Sequence, residues 1–94
     1  MQFLVLTLRN TQYTDDDFAP RLAGELQRVR ELYADEVVRQ IWSRQDRPGA
    51  ALLVEADSSK ELAERMGTFP LVNAGMVDID AIIPLKPHAA LASR

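Results

Sequence analysis

The stretch Val37-Val38-Arg39-Gln40-Ile41-Trp42-Ser43-Arg44-Gln45-Asp46-Arg47-Pro48-Gly49-Ala50-Ala51-Leu52-Leu53-Val54-Glu55 decides the fold of this chain. Its two ends, Val37 to Arg44 and Ala50 to Glu55, are strand-like runs, and the polar segment Gln45 to Gly49 between them carries Pro and Gly in turn-forming positions. That combination predicts an antiparallel hairpin. One strand and one helix precede the hairpin, and one helix and one strand follow it. The expected order is therefore strand, helix, strand, strand, helix, strand.

On the N-terminal side, Gln2 to Arg9 reads as strand one. Leu4, Leu6 and Leu8 lie on one parity and Phe3, Val5 and Thr7 on the other, which predicts a strand buried on both faces. After the polar loop Asn10 to Thr14, the acids Asp15-Asp16-Asp17 oppose the positive end of a helix. With Asp17 as the cap, Pro20 falls in the first turn, where its missing N–H costs little. Phe18, Leu22, Leu26, Val29 and Tyr33 then form an apolar stripe on a helix reaching Ala34. Opposite it, Arg21, Glu25, Arg28 and Glu31 alternate in sign, as a solvated, salt-bridged face does.

On the C-terminal side, Ser58 and Glu61 have the spacing of a capping box. The helix they open buries Leu62, Ala63 and Met66 and ends at Gly67 as a left-handed terminator. Phe69 to Met76, broken by Pro70 and Gly75, predicts a loop or single turn before strand four, Asp78 to Pro84. Residues 1–88 are expected to form one domain, and residues 89–94 a C-terminal tail that reaches a neighbouring subunit.

A chain of 94 residues hides only about 60 to 65% of its unfolded surface. Its apolar fraction of 47% excludes disorder and favours association as a way to hide more. The net charge of −3, without a block of Lys or Arg, excludes nucleic acid as a partner. The absence of cysteine removes disulfides, thiolate nucleophiles and sulfur-ligated metals, and fits a cytoplasmic protein. With His88 as the sole histidine, no protein-ligated zinc or haem site is expected either. The apolar start, Met1 to Arg9, lacks a basic lead and is too short to cross a bilayer, so no membrane partner is expected.

The element order matches the ferredoxin-like βαββαβ arrangement of the α+β class, a four-stranded antiparallel sheet with two helices on one face. Nothing in the chain is left to cover the other face, although strands one, three and four carry apolar residues on both parities. Face-to-face packing of two sheets solves that problem and predicts a homodimer or higher homo-oligomer.

Arg39-Gln40-Ile41-Trp42, Pro70-Leu71-Val72, and Asp78-Ile79-Asp80 followed by Pro84 and Pro87-His88 resemble the muconolactone isomerase family of the dimeric α+β barrel superfamily, over Leu32 to His88. The resemblance implies a dimeric barrel and a cofactor-independent proton shift on a small unsaturated lactone or carboxylated ring in aromatic catabolism. It also implies a pocket between sheet and helices, partly closed by a neighbouring chain's C-terminal arm. Arg21 and Leu22 stand where the family carries a lysine-rich first helix. That difference motivates an alternative, a barrel that binds a small molecule without turning it over. A cofactor-independent monooxygenase of the same superfamily is a third reading.

A proton shift beside a carbonyl needs a base at the carbon and a donor or cation at the developing oxyanion. Arg39, whose planar fork can hold a carboxylate, interrupts the parity of Val37 and Ile41 and is the first candidate anchor; its bland reading is an edge arginine. Glu25 is the candidate base if its helix turns that side to a cavity, and Glu55 is its rival; each is otherwise a surface carboxylate. Trp42 is a candidate pocket wall or an interface residue, Tyr13 and Tyr33 are rim donors, and Arg28 and His88 are further candidates for holding substrate.

Overall fold

A computed structural model describes residues 1–92 and contains the expected elements. Strand β1 spans Gln2–Arg9, helix α1 Asp15–Ala34, β2 Val38–Ser43, β3 Ala50–Glu55, helix α2 Ser59–Met66, the single turn α3 Pro70–Asn73, β4 Val77–Leu85, and the short helix α4 Ala89–Ala92. The strands form one antiparallel sheet in the order β2-β3-β1-β4. This is the ferredoxin-like α+β arrangement. Ser93 and Arg94, the end of the expected tail, lie outside the described residues.

Alternation sorts the sheet into two faces. Phe3, Val5 and Thr7 of β1 and Leu52 and Val54 of β3 are buried towards the helices. Leu32, Leu62, Met66 and Phe69 cover them from the other side. A second, smaller cluster joins Phe18 to Leu71 and Met76.

The register shifts between Val38 and Gln40, which leaves Arg39 unpaired on β2. A bulge resets the alternation, so Val38 and Ile41 both reach the helix face although three positions separate them. Arg39 therefore does not share a face with Ile41, and Trp42, opposite Ala51, points to the outer face. A second shift leaves Asp80 unpaired on β4. Arg44 reaches it at 3.2 Å and grips both oxygens of Asp46 at 3.0 and 2.7 Å, tying the hairpin turn to the β4 bulge. The Arg44 guanidinium holds the Asp46 carboxyl down at about 2.

The start of α1 differs from expectation. Thr14, not Asp17, is the cap: its hydroxyl accepts the Asp17 N–H and Asp17 accepts the Thr14 N–H, at 3.3 and 2.8 Å. Asp17 is thus the third helical residue of a capping box, and Pro20 falls in the second turn. The far end closes with Glu36 in the left-handed conformation, φ 63°. The Val37 N–H reaches the Leu32 carbonyl at 2.9 Å and the Glu36 N–H the Tyr33 carbonyl at 3.1 Å, the Schellman arrangement.

Two further expectations are corrected. Gly67 is right-handed, φ −66°, because the chain continues past it in tight turns through Thr68 and Phe69. The left-handed glycine is Gly75, φ 73°, which ends α3 and sends Met76 back onto Leu71. Ala63 is exposed, so α2 buries Leu62 and Met66 alone.

Candidate active site

The rotation of α1 is what builds the site. Of the expected stripe, Phe18 is buried, but Leu26 is 51% and Tyr33 59% exposed. Leu32 is buried in their place, and Glu25, expected on the solvated face, turns to the sheet side. Helical geometry gives the reason: at about 100° per residue, Glu25 lies about 20° and Leu32 about 40° from Phe18, whereas Leu26 lies about 80° away. The face centred on Phe18, Glu25, Val29 and Leu32 is the one that meets the sheet.

Between this face and the sheet lies a cavity of about 490 Å³. Its floor is Thr7, Ala50 and Leu52, with Ile41 at the side. Met66, Phe69, Leu71 and Val72 form the far wall. Thr7 is buried, and its hydroxyl accepts the Ala50 N–H at 3.0 Å. Gly49 also lines the cavity, and a Cβ there would stand 2.0 Å from the Thr7 carbonyl oxygen. Arg9, Asp15 and Asp16 bring charge to the mouth.

Glu25 is the carboxylate among the apolar walls. Its Oε1 accepts the backbone N–H of Leu71 at 3.0 Å, serving a free donor at the start of α3. Burial raises its pKa above the ordinary 4.5, and the Leu71 N–H, which favours the anion, offsets part of that rise. A half-buried carboxyl of raised basicity facing an apolar cavity can exchange a proton with a carbon acid held there.

The other residues singled out in the sequence do not line this cavity. Arg39 is exposed in its bulge on edge strand β2, and Trp42 is 50% exposed on the outer sheet face. Glu55 meets the N-terminal amine at 3.3 Å. Arg28 donates to Thr68 at 3.0 Å and Glu31 at 3.2 Å, joining α1 to the end of α2. Tyr33 faces outwards, and Tyr13 packs edge-on against Phe18, with ring centroids 6.2 Å apart. His88 is exposed and its Nδ1 accepts the Ala90 N–H at 3.0 Å, capping α4. Thr7 and Arg9 were not singled out, although strand alternation from Phe3 and Val5 puts both on the helix face. Among the described residues, no group of three His, Cys, Asp or Glu could hold a metal ion, and no helix is long and apolar enough to cross a membrane.

Comparison with known families matches residues 1–90 to muconolactone delta-isomerase. The chain belongs to that family. The family match takes in β1 and α1 as well as the Leu32 to His88 stretch, so the helix that carries Glu25 is part of it. No curated protein matches this member of the family. Among solved structures it is similar to 5-chloro-2-hydroxyhydroquinone dehydrochlorinase from Burkholderia phenoliruptrix AC1100, in complex with 2,5-dihydroxybenzoquinone. The two share 19% identity at a TM-score of 0.71, over 99% of this chain and 100% of the other. At that identity the likeness speaks for the fold, which it supports from end to end.

Proposed function

We propose that this member of the muconolactone delta-isomerase family is a cofactor-independent isomerase, in which Glu25 moves a proton on a small unsaturated lactone or carboxylated ring. The observation that carries the reading is the position of Glu25, a carboxyl of raised pKa at the wall of an otherwise apolar cavity. In its ionised form the Glu25 carboxylate takes a proton from the carbon beside the carbonyl. The electron pair of that C–H bond moves into an enolate, and Glu25 returns the proton at the far carbon of the conjugated system. Nothing is oxidised or reduced, and no metal or organic cofactor is consumed. A cavity of about 490 Å³ suits a single substituted ring. The ring-sized ligand of the dehydrochlorinase supports the same substrate size.

The finer parts of the proposal are a cytoplasmic place in aromatic catabolism and a homodimer formed through the outer sheet faces, in which Trp42 and Arg39 come near a partner. The competing reading makes Glu25 a structural cap for Leu71 in a barrel that binds without turnover, and their 3.0 Å hydrogen bond favours it. One experiment separates the two. Purified protein is incubated with unsaturated lactones in deuterated water, with ultraviolet absorbance and deuterium incorporation followed together. The expected result is turnover with label at the transferred position and a loss of about 10²- to 10⁴-fold in Glu25→Gln, whose amide oxygen still accepts from Leu71. Equal rates in the two proteins would overturn the role of Glu25.

A further inference from the structure

The mouth of the cavity carries a cation whose partner is easily exchanged. Arg9 ends β1 on the helix face, two residues beyond Thr7, and is the one cation lining the cavity among the described residues. Its guanidinium carbon lies 3.8 Å from the centroid of the Phe18 ring, a contact that holds the planar fork against the start of α1. One Nη donates to the Asp15 carboxylate, and among the described residues the side chain makes no other hydrogen bond. Asp15 is 93% exposed, Arg9 36%. An ion pair so open to water holds its partners weakly, so an incoming anion can take the place of Asp15 at small cost. The fork then has donors for both oxygens of a carboxylate.

The spacing fits this use. Glu25 follows Phe18 by seven residues on the same face of α1, about 10 Å along the axis. Arg9 and Glu25 both line the same cavity, so a small ring held in it can meet the guanidinium at one end and the carboxyl at the other. We infer that Arg9 is the substrate anchor: the carboxylate of a monocyclic acid displaces Asp15 from the guanidinium, and the ring lies in the apolar middle with its far edge at Glu25. The inference rests on the reading of Glu25 as the base and assigns the anchoring role, first sought at Arg39, to the cavity mouth.

Equilibrium binding tests it without turnover. Benzoate and its neutral isostere benzamide are titrated against wild type, Arg9→Met and Asp15→Asn by ligand-observed NMR at low ionic strength, where exposed charges are least screened. Wild type is expected to prefer benzoate. Arg9→Met should weaken benzoate about 10- to 100-fold while benzamide is unchanged. Asp15→Asn, which removes the competing anion and leaves Arg9 on Phe18, should tighten benzoate several-fold. Equal affinity of the two probes in wild type, or the same loss of both in Arg9→Met, would overturn the anchor; so would weaker benzoate binding in Asp15→Asn. The base reading fails separately, through undiminished proton exchange in Glu25→Gln, because benzoate binding needs no base.

Discussion

Glu25 shows how one side chain is given two demands by its surroundings. The apolar walls favour its neutral form, while the Leu71 N–H favours the anion, and the first effect is the larger. Its folded pKa therefore lies above the ordinary 4.5, and linkage fixes the sign of the consequence. The stabilising contribution is complete below 4.5, where the carboxyl is protonated in folded and unfolded chains alike. It is lost as pH rises through the folded value, because the folded state must then carry a desolvated charge. Glu25→Gln escapes that loss. Thermal unfolding should show the variant gaining on wild type between pH 4 and pH 7, and a stability difference that does not change over this range would contradict the assignment. Legibility at this scale was partial. The about 100° rotation per residue already places Glu25 beside Phe18 on the helical wheel, but the leucines at 22 and 26 pulled the expected face towards themselves. Leu26 and Tyr33 share the helical spacing of the apolar stripe, and hydrophobicity alone cannot tell which flank of a stripe meets the sheet.

At the scale of elements, the hairpin and the caps carry most of the information. The turn Gln45 to Gly49 lies where its composition placed it, since Pro and Gly act through local backbone preference. What local preference does not reveal is why Gly49 is needed. A Cβ there would stand 2.0 Å from the Thr7 carbonyl oxygen, on the strand that forms the cavity floor. Gly49→Ala must push β1 and the hairpin apart, and the Arg9 N–H to Pro48 carbonyl bond of 2.9 Å is next to the clash. The expected cost is about 3 kcal/mol or more, read as a lower denaturation midpoint, with faster amide exchange at Arg9. An unchanged midpoint would mean that the approach is not as close as described. The β2 bulge is the other element-scale lesson. Strict alternation puts Arg39 with Ile41, and one unpaired residue breaks that partnership. A bulge depends on the partner strand, so the sequence of β2 alone does not announce it.

For the molecule as a whole, the question is what covers the outer sheet face. The helices occupy one side of the sheet, and Leu4, Leu6, Leu53, Ile83 and Leu85 lie on the other with Trp42. Ile83 is 42% and Leu85 39% exposed in the single chain. A patch of this kind on so small a domain calls for association, and stable interfaces bury about 800 Å² per partner. Sedimentation at micromolar concentration should find a homodimer, and the double substitution Leu53→Lys with Ile83→Lys should yield folded monomers. A wild-type protein that sediments as a folded monomer would remove the paired-sheet proposal.

The sequence by itself determined the order of the elements, the hairpin turn, the family and the existence of a face that needs covering. The family is carried by the resemblance of its motifs; the rest follow from periodicity, turn chemistry and capping, which act over a few residues. Only the tertiary structure decided which side of α1 meets the sheet, and with it the placing of Glu25 at the cavity wall and of Arg9 over Phe18. It also decided that Arg39 and Trp42 face away. The reason is that a helix can be rotated and a strand bulged at little local cost, so the choice falls to packing between segments far apart in the chain.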